Sequence, residues 1–148
     1  MNKHSRSVMV CVTDQLHCDR LIRAGGELAR REGLALQVVS VQKPANVTPE
    51  SMEALEHLFT VSKANGAEMT VLYQPDVAPT LIRCALKYRA VHILTGSPAT
   101  LGKGAVISEL WSALPEASCH VMDEKGGLDT LKPFHSVQAS INRLVHEN

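Results

Sequence analysis

The sequence carries no excess charge of either sign. It contains 15 Lys and Arg and 15 Asp and Glu among 148 residues, so the formal net charge at pH 7 is zero with histidine neutral. Proteins that bind nucleic acid or anionic membranes need a cationic surface. The composition therefore argues against nucleic acid and against a membrane as the main partner.

Long hydrophobic runs are also lacking. No apolar stretch approaches the roughly 18 residues that a membrane-spanning helix needs. The opening residues Met1–Arg6 have neither the apolar core nor the cleavage site of a signal peptide and lead directly into a strand-like run. We therefore expect the protein to be cytoplasmic.

Motifs for covalent, metal or redox chemistry are missing as well. There is no G-x-S-x-G elbow, no H-E-x-x-H motif, no pair of histidines four residues apart and no CxxC pair. A catalytic set and a metal site are therefore not expected. Free cysteines are usually buried apolar side chains. That is the interpretation we favour for all four, with a reactive thiol at Cys18, beside His17, as the alternative.

What the sequence does contain is a regular alternation of strand-like and helical segments. Apolar runs typical of buried strands alternate with segments whose apolar residues recur at helical spacing. The predicted strands are Ser7–Val12, Leu34–Val41, Ala67–Tyr73, Val91–Thr95 and Ser118–Met122. The predicted helices are Cys18–Glu32, a segment from Thr48 to Asn65, Val77–Arg89 with Asp76 as its cap, and Ala105–Leu114.

This order predicts one architecture. Strands that alternate with helices form right-handed crossovers and a parallel sheet with helices on both faces. The fold class is therefore α/β, with an open five-stranded, Rossmann-like sheet. Gly25 and Gly26 inside the first helix each cost about 1 kcal/mol relative to alanine. Close approach of that helix to the sheet is the expected compensation.

The C-terminal residues 123–148 differ from the domain formed by residues 1–122. The acidic pair Asp123-Glu124 is expected in a solvated tail, and Lys125-Gly126-Gly127 is interpreted as a hinge. Beyond Pro133, five apolar residues fall on one helical stripe, which predicts an added amphipathic helix. That helix packs either on its own domain or on a second subunit or another protein. Its stripe consists of Phe134, Val137, Ile141, Leu144 and Val145.

Two segments are expected at the carboxyl ends of the strands, where open α/β sheets bind ligands. Thr13-Asp14-Gln15 follows the first strand, and a glycine-containing loop follows the fourth. Backbone N–H groups, a helix N-terminus and a lysine in that loop favour a phosphate site, although a simple flexible turn stays open. The loop differs from a P-loop in the spacing of its glycines and in the residue after the lysine. The candidate loop residues are Gly96, Ser97, Gly102, Lys103 and Gly104.

Asp14 has two interpretations. Its carboxylate can accept a hydrogen bond from the ribose or base of a nucleotide at this edge of the sheet. It can equally cap the first helix. The sequence does not choose between them.

Two blocks of sequence resemble the universal stress protein family. VMVCVTDQLHCDRLIRAGGELARREGLALQVVSVQKP resembles the family's opening β-α-β unit, and PDVAPTLIRCALKYRAVHILTGS resembles its third helix and fourth strand. The first block is particularly similar to the stress-protein-like domain of bacterial potassium-uptake sensor kinases. The resemblance covers about residues 7–122.

The resemblance implies strand order 3-2-1-4-5 and a homodimer formed through the last strand Ser118–Met122. The apolar stripe of the C-terminal helix offers a second surface for forming a homodimer. The resemblance also implies ATP or another adenine nucleotide as the ligand in those members that bind one. Such members have Asp directly after the first strand and a G-x-x-G loop. Here Thr13 takes the Asp position and Ala99 takes the place of the second glycine.

These differences leave fewer groups to hold a triphosphate. We therefore expect a non-catalytic stress- or signal-response regulatory module that acts through protein contacts and binds nucleotide weakly or not at all. The alternative is an adenine-nucleotide-binding stress protein with slow ATP hydrolysis. A nucleotidyl transferase that uses His17 is a third hypothesis.

Overall fold

The computed structural model describes residues 5–97, 104–131 and 133. The helices within these ranges are α1 (Asp19–Glu32), α2 (Pro49–Ala64), α3 (Val77–Lys87) and α4 (Gly104–Ala113). The strands are β1 (Ser7–Cys11), β2 (Ala35–Gln42), β3 (Glu68–Tyr73), β4 (Ala90–Gly96), β5 (Ser118–Met122) and β6 (Leu128–Leu131). None of these helices has both the length and the hydrophobicity required to cross a membrane.

The strands form one sheet in the order β3-β2-β1-β4-β5-β6. The first five strands are parallel to their neighbours, as the sequence predicts. The predicted strand count is wrong by one, because β6 adds to β5 in antiparallel orientation. The sheet therefore continues past Met122 into the C-terminal residues.

Two apolar cores hold the helices against the two faces of the sheet. One core joins α1 and α2 to side chains such as Val10, and the other joins α3 and α4 to side chains such as Met9. Every residue of β1 is buried, which explains its nearly continuous apolar sequence. The predicted arrangement of helices on both faces is confirmed.

The glycine pair in α1 lies where this helix meets the sheet. A Cβ atom on Gly25 would lie 2.3 Å from Cγ2 of Val10, closer than real Cβ contacts. A Cβ atom on Gly26 would instead meet the side-chain oxygen of Asn65 on the outer side, at 2.9 Å. Close approach to the sheet therefore requires the absence of a side chain at Gly25.

The segment Lys125-Gly126-Gly127 is a tight turn between β5 and β6, so its interpretation as a hinge is wrong. Asp123 accepts hydrogen bonds through Oδ1 from the backbone N–H groups of Lys125, at 2.8 Å, and Gly127, at 2.9 Å. Gly126 has a φ of 87°, a conformation that favours glycine. The turn reverses the chain and thereby places β6 beside β5.

The hairpin formed by β5 and β6 changes where a strand of a second subunit can pair with the sheet. The outer edge of Ser118–Met122 is hydrogen-bonded to β6, so β5 has no free edge for a strand of another subunit while β6 is in place. Homodimer formation itself stays a prediction. The amphipathic helix expected from Phe134 onward lies outside the described residues.

Candidate functional site

A cavity of about 340 Å³ lies at the carboxyl ends of β1, β4 and β5. The sheet order places β1 and β4, whose following segments line it, side by side at the point where the strand order reverses. Open α/β sheets bind their ligands at this point, and ligand sites occupy about 300–1,000 Å³. The lining residues are Gln15, His17, Cys18, Arg20, Leu21, Gly96, Ser97, Met122, Asp123 and Glu124.

The candidate residues from the sequence are distributed unevenly around this cavity. Gly96, the last residue of β4, and Ser97 line it. Gly104 is the first residue of α4. Gly102 and Lys103 lie outside the described residues. The structure thus brings the start of the predicted phosphate loop to the cavity.

Thr13 and Asp14 directly follow the buried residue Val12 at the same edge of the sheet, but neither is among the residues that line the cavity. Asp14 does not cap α1, because that helix begins at Asp19 with Cys18 in the capping position. The capping interpretation of Asp14 is therefore wrong. A ligand contact by Asp14 stays a prediction.

Arg20 and the β5–β6 turn form a wall of the cavity that the sequence analysis did not assign. Nη1 of Arg20 donates a hydrogen bond to the backbone oxygen of Glu124 at 3.3 Å, which ties the first turn of α1 to the hairpin. Asp123 and Glu124, expected in a solvated tail, both line the cavity. The cavity is therefore lined by one arginine and two acidic residues, and the carboxylate of Asp123 is engaged by the turn.

The four cysteines are buried and free of disulfides, which confirms their interpretation as apolar side chains. Burial raises the pKa of Cys119 to about 11, and it also raises the pKa values of Cys11 and Cys84. Cys18 is 2% exposed, and its Sγ lies 3.5 Å from Oγ1 of Thr13. The structure gives no support to a reactive thiol at Cys18.

A second polar cluster lies away from the cavity and joins four elements. Nε2 of His92 is 3.0 Å from Oε2 of Glu32, and Nδ1 of His92 is 2.9 Å from Nε2 of His120. Nδ1 of His120 is 2.8 Å from Oγ1 of Thr130. Burial lowers the pKa of His120, the charge of His92 lowers it further, and Glu32 opposes both. The cluster connects α1, β4, β5 and β6.

The direction of each hydrogen bond in this cluster follows from the carboxylate. A carboxylate only accepts, so Nε2 of His92 donates to Glu32 and Nδ1 of neutral His92 must accept from Nε2 of His120. Nδ1 of His120 then accepts from the Thr130 hydroxyl group. With both imidazoles neutral, each of the three contacts has one donor and one acceptor. Within the described residues, no group of three or more His, Cys, Asp or Glu side chains is arranged to hold a metal ion.

Comparison with known proteins adds one relative by sequence. Sensor protein KdpD of Escherichia coli (strain K12) is 26% identical over 100 residues, which are 66% of this chain and 11% of that protein. The chain therefore corresponds to a small part of the curated relative that it matches. No protein-family model matches the chain.

Solved structures add two similar folds. The universal stress protein from Archaeoglobus fulgidus in complex with dAMP has a TM-score of 0.57 at 19% identity, over 84% of this chain and 98% of that one. A universal stress protein in complex with cAMP has a TM-score of 0.57 at 15% identity, over 83% and 98% of the two chains. The resemblance expected from the sequence is thus confirmed at the level of the fold, because this chain has the fold of the universal stress proteins.

Proposed function

We propose that this chain is a non-catalytic regulatory module of the universal stress protein type, which responds to stress or another signal through protein contacts. The proposal rests on the cavity at the carboxyl ends of β1, β4 and β5. The described residues that line this cavity do not form a catalytic set. A ligand held there bridges α1, the end of β4 and the β5–β6 hairpin. Binding can therefore change the stability and surface of the module without chemistry.

We further propose an adenine nucleotide with few phosphate groups as the ligand. The complexes of two similar folds with dAMP and cAMP support the adenine nucleotide. Arg20 offers a guanidinium group to a phosphate, and Leu21 and Met122 offer apolar surface to a base. Asp123 and Glu124 add negative charge, which opposes a triphosphate more than a monophosphate. Weak binding is the expected result.

A thermal-shift titration with AMP, cAMP and ATP tests this proposal. A ligand that binds only the folded chain adds about 2.7 kcal/mol of stability at a hundredfold excess over its dissociation constant. We expect the melting temperature to rise with AMP or cAMP at millimolar concentration and to rise less with ATP.

Arg20→Ala should reduce the AMP shift, because it removes the guanidinium group from the cavity. Arg31→Ala is the matched control, since Arg31 is exposed at the other end of α1. Equal shifts for both variants would contradict the assignment of Arg20. A lack of any shift would leave a module that works through protein contacts alone.

ATP binding with slow hydrolysis is the competing function. The same titration distinguishes the two, because an ATP-binding protein would show its largest shift with ATP and would release phosphate on incubation. Release of phosphate above that of the protein-free control would contradict the non-catalytic assignment.

A further inference from the structure

Helix α2 and the edge strand β3 leave an apolar groove between them. Met69, Val71 and Tyr73 of β3 alternate along the strand and therefore point to the same face, where α2 packs. Met52 and Phe59 of α2 complete a groove of about 480 Å³, which we call the α2–β3 groove. It lies at the opposite edge of the sheet from the β5–β6 hairpin.

The α2–β3 groove exposes large apolar side chains. Phe59 is 53% exposed, Met52 57% and Tyr73 45%, and they are three of the seven large hydrophobic residues exposed in the described part of the chain. Single exposed apolar residues are ordinary, but a contiguous patch in a groove marks a binding surface. In the same part of the chain, β3 has β2 as its only strand neighbour.

The charge on the groove is negative. Glu53 and Glu56 are exposed on α2 and line the groove beside Phe59, and no basic residue is among the described lining residues. Lys63, four residues after Phe59 on α2, lines an adjoining depression together with Glu68. An apolar floor with an acidic rim is complementary to a cationic amphipathic partner.

The length of the groove fits a helix. Met52 and Phe59 are seven residues apart on α2, which at about 1.5 Å per residue separates them by about 10.5 Å, or two helical turns. An amphipathic helix that docks in a groove presents apolar anchors at this same spacing.

We propose that the α2–β3 groove binds an amphipathic helix of a partner protein that carries Lys or Arg on its polar face. This inference deepens the proposed regulatory role, because it assigns a surface and a class of partner to the protein contacts. A second copy of the chain that used the same groove would bring Glu53 and Glu56 of both subunits together, which opposes self-pairing. The C-terminal residues continue from β6. This strand lies five strand spacings of about 4.8 Å, or about 24 Å, from β3.

The test uses a labelled 18-residue peptide of leucine and lysine with a helical amphipathic pattern, and fluorescence anisotropy as the readout. A peptide with the same pattern of leucine and glutamate and a scrambled leucine–lysine peptide serve as references. We expect the patterned cationic peptide to bind best and its affinity to fall with added salt.

Two variants examine the groove itself. Phe59→Ser should weaken binding about tenfold, as expected for loss of an aromatic anchor. The double variant Glu53→Lys with Glu56→Lys should weaken it by a similar factor. The matched controls are Leu86→Ser, at an apolar residue of α3 that is 65% exposed, and the pair Glu109→Lys with Glu116→Lys at exposed acids elsewhere. All four changes are at exposed positions, and circular dichroism verifies that each variant folds.

Four results would overturn the proposal. These are no binding of the cationic peptide, equal binding of the glutamate or scrambled peptide, unchanged binding by both groove variants, and an equal loss in the controls. Displacement of the labelled peptide by an excess of a peptide of residues 134–148 would reassign the groove to the chain's own C-terminus. A change of oligomeric state in Phe59→Ser would reassign it to a second copy. The AMP titration on the same variants keeps the two proposals separate, because the cavity and the groove share no lining residue and the AMP thermal shift should not change.

Discussion

Gly25→Ala is expected to destabilise the folded chain by about 2 kcal/mol, within the usual range for overpacking a well-packed core. The added Cβ atom would lie 2.3 Å from Cγ2 of Val10 and 3.3 Å from Cδ1 of Leu36. Val10 is fully buried in the central strand β1, so it has no free space into which to move. Alanine's higher helix propensity, worth about 1 kcal/mol, offsets only part of this cost.

Chemical denaturation with urea measures the effect, and Gly26→Ala on the same helix is its control. The new Cβ atom at Gly26 would meet the end of the Asn65 side chain, whose displacement costs at most its hydrogen bond to the backbone oxygen of Val61. Gly26→Ala should therefore stay within about 1 kcal/mol of the original chain, because the gain in helix propensity is retained. An equal loss of stability in both variants would contradict the packing argument.

A double variant tests the same contact directly. Val10→Ala removes the methyl groups that oppose the new Cβ atom, so Val10→Ala with Gly25→Ala should cost less than the sum of the two single changes. Additive costs would show that Val10 is not the atom group that excludes a side chain from position 25.

The parallel part of the sheet was predictable because its signals are local and repeated. Buried strands such as Ser7–Cys11 read as continuous apolar runs, and the first four strands are each followed by a helix with apolar residues at helical spacing. The right-handed crossover rule then leaves few arrangements. The helix ends were less predictable: α1 begins at Asp19, after a short 3₁₀ turn, rather than at Cys18, and α3 ends at Lys87 rather than at Arg89.

β6 was missed because its sequence carries almost no strand signal. Leu128–Leu131 has four residues, three of them exposed, and it follows two glycines that are compatible with either a hinge or a turn. The side chain of Asp123 makes this segment a turn, because it accepts hydrogen bonds from two backbone N–H groups. An Asp four residues before the second glycine is a usable turn signal in retrospect.

The cavity was predictable in position but not in composition. The carboxyl ends of β1 and β4 follow from the strand order, so Gly96 and Ser97 could be placed there from the sequence. Arg20 and Glu124 could not, because their contact depends on the hairpin that returns the chain to α1. The same hairpin brings Thr130 to His120, which makes the histidine cluster a product of tertiary structure.

The histidine cluster leads to the second large effect, a loss of stability in mild acid. His120 is 9% exposed, and burial together with the charge of His92 lowers its pKa below the ordinary value of 6.5. Below that pH the unfolded chain takes up a proton that folded His120 still resists, so the free energy of unfolding falls as the pH falls. For one group the slope reaches about 1.4 kcal/mol per pH unit. The loss ends below the pKa of His120 in the folded chain, where both states are protonated.

The first and second protons should have different structural effects. One proton added to the His92–His120 pair leaves the chain of contacts intact, because the contact between the rings keeps one donor and one acceptor and only the Thr130 hydroxyl group must turn from donor to acceptor. A second proton places two N–H groups against each other across the 2.9 Å contact between His92 and His120. Hydrogen exchange should therefore report local opening of β6 in acid before the whole chain unfolds.

Urea denaturation between pH 7.5 and pH 5 checks the first effect in His120→Asn and in the control His17→Asn. The His120→Asn change should lower stability at pH 7.5 by about 1–2 kcal/mol, because it breaks a buried hydrogen-bonded contact. It should also flatten the pH dependence, because it removes the group with the lowered pKa. His17 is exposed and lies outside the cluster, which makes His17→Asn the matched control. A slope that stays the same in His120→Asn would contradict the assignment of the acid sensitivity to this cluster.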